Sequence, residues 1–237
     1  MLGYIGYYYD PTYILVIIAA IFSLMAQFKV KNTFAKFSKV SSKTGISGAK
    51  AAERILRSKG IYDVSIERIS GNLTDHYDPR NKVLRLSDSV YNQTSVAAIG
   101  VAAHECGHAI QHAEGYIPLN IRSAIAPIAS FGSYASWILI LIGLFFSGSS
   151  SYFFLQLGIW FFVAVVAFQL ITLPVEFNAS SRAVGILGNS GMLYDDEVKG
   201  TKKVLSAAAL TYVAALAVSL AQFIRLIAIF GGGRDRD

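Results

Sequence analysis

Cysteine is almost absent from this 237-residue chain. Cys106 stands alone, which excludes an intramolecular disulfide and any Cys-rich zinc site. A transition metal would have to be held by His and carboxylates. A lone thiol usually packs as a small hydrophobe, so Cys106 is expected as a buried filler. Charge is scarce as well. Asp, Glu, Lys and Arg make up only 15% of the residues, against roughly 25% in an ordinary soluble domain. Hydrophobic residues reach 54% and mean hydropathy is +0.47. These figures argue against a conventional soluble domain and point to a membrane protein. No Lys or Arg precedes the first apolar run, so that run lacks the basic flank of a signal peptide. There is no internal repeat, and no low-complexity tract beyond the glycines at 231–233.

What is present is a set of four apolar stretches. A spanning helix needs about 20 mostly apolar residues. The sequence predicts spans within residues 1–28, 123–147, 152–174 and 204–230. Pro127 is expected near the start of the second, where a helix tolerates proline best. Pro174 is expected to end the third. Of the 21 Lys and Arg, 14 fall between residues 29 and 122, four between 175 and 203, and three beyond. The positive-inside rule then places the N-terminus outside and residues 29–122 and 175–203 in the cytoplasm. The short 147–151 linker becomes an outer turn, and 231–237 a terminal tail.

Residues 29–122 read as a small α+β region. Residues 47–59 look helical, with Ala51/Ile55 and Ala52/Leu56 four apart and Gly60 as a stop. Residues 64–69, 73–77 and 82–86 look like short strands, the last two joined by a turn at Asp78-Pro79-Arg80-Asn81. Strand 82–86 is expected at a sheet edge, where it could align a peptide by strand addition. Thr94 or Ser95 should cap a helix over 94–113. The fold class is therefore a mostly α membrane protein, with about four transmembrane helices and a small cytoplasmic α+β region.

The 94–113 helix carries His104-Glu105-Cys106-Gly107-His108. Residues four apart share a helix face, so both imidazoles can converge on one metal ion. Zinc lowers the pKa of water toward about 7, and the Glu beside the first His can take the proton as general base. With four His and six Glu in the chain, a chance H-E-x-x-H has a probability of about 0.2%. The alternative, a buried helix with two satisfied histidines, must also bury Glu105 without a partner, which is costly.

A catalytic zinc usually has three protein ligands and one open position. Glu176, Glu114, His112 and His76 are the candidates. His112 lies eight residues after His104, about 12 Å along a straight helix, too far to share the metal with both other histidines. It is expected to line the cleft or cap the helix end. Glu114 sits where a metzincin would carry its third His, but position 111 is Gln in place of the required turn glycine. Glu176, at the mouth of the third span, is the leading choice, because a carboxylate against the membrane needs a reason. The competing reading pairs Glu176 with Arg182. Arg182 is also a candidate to stabilise an oxyanion, with His112 a second catalytic candidate. His76, Tyr77 and Tyr194 are weaker candidates as transition-state donors.

Segments AAHECGHAIQHA (102–113), LPVEFNASSRA (173–183) and LTDHYDPRNKVLRLS (73–87) resemble the YugP-type family of bacterial membrane zinc metallopeptidases, relatives of the HtpX-like gluzincins. The resemblance covers nearly the whole chain. It implies one zinc ion held by His104, His108 and Glu176, with Glu105 as catalytic base, in the plasma membrane. Gluzincins often carry an Asp four residues after the ligand Glu, to orient a metal-binding His. Here that position is Ser180, with Ser180 or Asn178 as weak substitutes. The expected function is hydrolysis of peptide bonds in membrane-associated or cytoplasmic-side polypeptides, with the lipid bilayer as the chain's surroundings. A non-peptide zinc hydrolase and a non-catalytic zinc scaffold are the alternatives. Nucleic acid is not an expected partner, because the 29–50 cations have few interleaved aromatics and suit anionic headgroups. Nothing in the sequence names the substrate or an oligomeric state.

Overall fold

A computed structural model describes residues 11–230. The first ten residues of the first expected span and the 231–237 tail lie outside the described residues. The chain runs α1 (Tyr13–Phe37), α2 (Gly48–Ser58), β1 (Ser65–Ile69), β2 (His76–Asp78), β3 (Val83–Ser87), α3 (Val96–Ala113), α4 (Ile117–Phe145), α5 (Gly148–Asn189) and α6 (Asp195–Phe230). Four of these helices, α1, α4, α5 and α6, are long and apolar enough to cross a membrane. Large side chains on their outer faces, such as Met25, Phe28, Phe131 and Trp160, are more than 60% exposed. So many bare apolar groups belong against lipid rather than water. The molecule is a mostly helical membrane protein with a small α+β region.

The long helices exceed the spans the sequence predicts. At 1.5 Å per residue, the 42 residues of α5 reach about 63 Å, twice the roughly 30 Å hydrocarbon core. Pro174 does not end this helix. It lies inside α5, and the helix continues because its distal face is buried. Val175, Glu176, Ala179, Ala183 and Leu187 follow helical spacing, and all are at most 2% exposed. Ala183 and Leu187 join the core built on α2 and α3. That packing outweighs the ~3 kcal/mol a proline costs within a helix. Residues 175–189 are thus a rigid extension of the span, and only 190–194 separate α5 from α6. Likewise Pro127 lies inside α4, whose first turn holds Pro118 instead. α1 runs on to Phe37, and the linker before α5 shrinks to Phe146 and Ser147.

The α+β region forms around β3. Leu84 and Leu86 are fully buried, as are Ala51, Ala52 and Ile55 of α2. Ser47 caps α2 by accepting from the Lys50 N–H, and Ser95 caps α3 by accepting from that of Ala98. The sheet order is β1-β3-β2, with β1 parallel and β2 antiparallel to β3. This corrects the edge expected for strand 82–86. β3 is paired on both sides and cannot accept a further strand. The exposed edges are β1 and β2, and β2 begins only at His76, after Leu73 with its positive φ of 55°.

Helix α3 is the buried axis of the region, packed on α2, α5 and α6. At Gly107 its backbone lies directly against that of α5. A Cβ built there would lie 2.7 Å from the Ala179 carbonyl oxygen and 3.0 Å from its Cα. Only glycine permits this backbone contact. Gly107→Ala should therefore push α5 away from α3 and destabilise the fold by about 1–3 kcal/mol, the usual range for overpacking. Thermal unfolding in detergent should fall, and bound zinc should fall with it. Unchanged values would show that the helices can absorb the methyl.

Candidate metal centre

His104 and His108 lie one turn apart on α3, their ring centroids 4.8 Å apart and nearly perpendicular. Glu176 of α5 faces both. Its Oε2 is 3.2 Å from His104 Nε2 and 3.6 Å from His108 Nε2. Among the described residues these three make the one group of at least three His, Cys, Asp or Glu able to hold a metal ion.

The outer nitrogens of the rings are engaged elsewhere. Gln111, fully buried, donates from Nε2 to the Val175 carbonyl and to Asn178 Oδ1, both at 2.9 Å. The Val175 carbonyl can only accept, so this fixes the amide. Gln111 Oε1 is then the acceptor 3.0 Å from His108 Nδ1. His108 must carry its proton on Nδ1, which leaves a lone pair on Nε2 facing Glu176. Ser180 Oγ sits 3.1 Å from His104 Nδ1 and holds the other ring, although a hydroxyl that both donates and accepts does not choose its tautomer. Ser180 and Asn178 both take part, on different partners.

The donor set fits zinc. Tetrahedral ligands with bonds of about 2.0 Å are about 3.3 Å apart, close to the observed 3.2 and 3.6 Å. Glu176 is 2% exposed, yet no hydrogen bond reaches its buried Oε2. A buried carboxylate oxygen facing two imidazole nitrogens calls for positive charge between them, a proton or a metal ion. Burial works against a charged His108, but Glu176 and the Glu105 charge outweigh it and raise its pKa. Proton and metal therefore compete for the same nitrogen.

Around this group lies a cavity of about 310 Å³, its wall including Asp75, Tyr77, Glu105 and Arg122. A smaller one of about 190 Å³ shares Asp75 and Glu105 with it and is lined further by Leu205 and Ala209. Glu105 is 8% exposed and opens on both cavities without joining the ligand group. Asp75 accepts from the Ser87 N–H at 2.7 Å and the Ser87 hydroxyl at 2.9 Å. Burial nevertheless raises its pKa, and the nearby Glu105 charge adds to the rise. Cys106 is fully buried with its thiol pKa pushed up by burial, and its Sγ lies 3.7 Å from the Ala52 carbonyl.

The other candidates fall elsewhere. Arg182 does not reach the cavity. It pairs with Glu114 at 2.7 Å and donates from Nε to Asn178 Oδ1 at 2.7 Å. Its position nearly two turns past Glu176 carries it to the end of α3, where it fastens α5 and occupies Glu114. His112 stays outside the ligand group, and its Nδ1 lies 2.8 Å from the Tyr77 hydroxyl. It does not line the cavity itself and meets its wall at Tyr77. His76 lies on the wall, exposed, with Nδ1 near the Thr74 carbonyl. Tyr194 lies in the α5–α6 turn beneath Lys43.

Four residues at the site escaped sequence reasoning: Gln111, Asp75, Arg122 and Tyr212. Arg122 counted only as a topology charge. Tyr212 sits in an Ala-rich span, and Gln111 registered only as a missing glycine. Asp75 offered one signal, an acidic residue inside a strand-like segment. Gln111→Ala should free the His108 ring and lower zinc affinity about 10- to 100-fold, the usual cost of losing a ligand's hydrogen-bond partner. Competition with a chelator measures this, and wild-type affinity would count against the tautomer argument.

The family described as "Putative neutral zinc metallopeptidase" matches residues 12–231. "Putative membrane protease YugP" from Bacillus subtilis (strain 168) is 50% identical over 226 residues, covering 95% of this chain and 99% of that protein. No solved structure matches. Matched from its first span to its last and half identical to a membrane relative, the chain belongs to this family of neutral zinc metallopeptidases.

Proposed function

We propose that this protein is a gluzincin-like metalloendopeptidase with one zinc ion held by His104, His108 and Glu176, and that it cleaves membrane-associated or cytoplasmic-side polypeptides. The observation that carries the reading is the convergence of two Nε2 atoms on a buried carboxylate oxygen that no hydrogen bond reaches. Zinc, when bound, supplies Lewis acidity toward the scissile carbonyl and acidifies water to a pKa of about 7.

The chain's own residues do the rest. Gln111 and Ser180 hold the imidazoles in place. Glu105, on the cavity wall beside the first ligand, accepts the proton given up by the attacking water and delivers it to the leaving amine nitrogen. A structural zinc site would fill its fourth position and needs no base. The open cavity and the unligated Glu105 support a catalytic site over a scaffold. Tyr77, held by His112, is available on the wall to a substrate carbonyl.

The charge distribution supports a multi-pass protein of the plasma membrane with its N-terminus outside. Cations crowd residues 29–122, so the sheet and α3 belong on the cytoplasmic side. The α4–α5 turn then faces outward.

Two experiments test this reading. Glu105→Gln should bind zinc like the wild type and fail to cleave any member of a peptide library that the wild type cuts, a loss of at least ~100-fold. Cleavage at the wild-type rate would remove Glu105 from the reaction. For orientation, Ser149→Cys should react with a membrane-impermeant thiol reagent on intact cells, whereas buried Cys106 should not. Labelling only after lysis would invert the topology.

A further inference from the structure

The two oxygens of Glu176 stand in different surroundings. Oε2 faces the histidine nitrogens. Oε1 lies 3.2 Å from an Arg122 guanidinium nitrogen. Arg122 comes from a third element, the second turn of α4. The chain reaches it through the turn at Gly115, whose φ is +65°. The Arg122 side chain is 29% exposed and lines the cavity, whereas Glu176 is 2% exposed. We propose that Arg122 is a positioning residue for the metal centre: by holding Oε1 it restricts Glu176 to ligation through Oε2 and so keeps one coordination position open. This rests on the ligand set proposed above.

The physical case has two parts. A carboxylate can bind a metal through one oxygen or both. If both oxygens of Glu176 bound, zinc would have four protein donor atoms, and water could join only as a crowded fifth ligand. A guanidinium on Oε1 opposes this, since two-oxygen binding would strip a buried charge of its partner. Second, the ion pair fixes the rotation of the carboxyl plane. A ligating carboxylate held this way presents one lone pair in a set direction, as imidazoles do when held at their outer nitrogens. Each ligand then has its own support: Ser180 for His104, Gln111 for His108 and Arg122 for Glu176. An arginine that merely pinned α4 to α5 would need no carboxylate at the metal group.

Cobalt(II) in place of zinc reports coordination number through its visible absorption, intense for four ligands and weak for five. The full-length protein in detergent is compared as wild type, Arg122→Met and Arg122→Lys. In Arg122→Met, zinc affinity should fall about 10- to 100-fold, and the cobalt bands should lose intensity toward the five-coordinate pattern. Arg122→Lys, which keeps a charge on Oε1, should restore most of the wild-type spectrum. A wild-type spectrum and zinc affinity in Arg122→Met would overturn the proposal, whatever happens to thermal stability. If Arg122→Met does not fold, Arg122→Ala carries the same comparison with the same two outcomes. Glu176→Ala separates this failure from that of the ligand set. Wild-type zinc binding by Glu176→Ala would discard both the ligand and its arginine. Loss of zinc in Glu176→Ala beside an unaltered Arg122→Met would discard the arginine alone.

Discussion

Backbone contact between α3 and α5 at Gly107 sets the distances in the metal group. No side chain separates the two helices there, and Ala179 presents its own Cα and carbonyl. His108 is one residue past this contact on α3, and Glu176 is three before it on α5. The rings and the carboxylate meet at 3.2 and 3.6 Å because the backbones come this close. Added bulk at the crossing would have to come out of those distances. The same approach lets Gln111 reach from α3 to the Val175 carbonyl of α5. Gln111 thereby ties the tautomer of His108 to the packing of the two helices.

Holding α5 in this position requires length. A helix that ended at Pro174 would leave Glu176 on a loop, free to wander by more than a metal site tolerates. Instead α5 runs on for fifteen residues past the proline as a packed helix, with Ala183 and Leu187 in the core of the α+β region. Arg182 fastens it to the end of α3 through Glu114. The membrane spans and the helices that carry the candidate metal group are therefore one set. Rigid elements hold a site within a fraction of an ångström more readily than loops do.

Charge follows the same logic. The cavity brings together Glu105, Glu176 and Asp75, with Arg122 as the basic group among them. Such a collection is costly to desolvate. Burial already drives Asp75 toward its neutral form, and Arg122 compensates Glu176. A dication among the remaining donors would complete the balance. Cys106 contributes nothing to it, being sealed against α2.

By itself the sequence determined what local rules control. Low charge and four apolar runs announced a membrane protein, and H-E-x-x-H spacing put two imidazoles on one helix face. Helix α2 and the cap of α3 followed from Ser47, Gly60 and Ser95. Tertiary structure decided what depends on distant partners. Glu114 and Glu176 are both carboxylates that could meet a histidine in principle, but only α5 packing carries Glu176 to the rings and leaves Glu114 with Arg182. Pro174 forbids a helix by local rules, yet burial of the following face overrides it. Strand 82–86 has the pattern of any short strand, and its central place comes from β1 pairing beside it in parallel. Arg122 and Arg182 look alike in sequence, and only the path of α4 beside α5 sets the first against Glu176. Spacing along the chain fixes which residues share a face, whereas which faces meet depends on the burial of all of them at once.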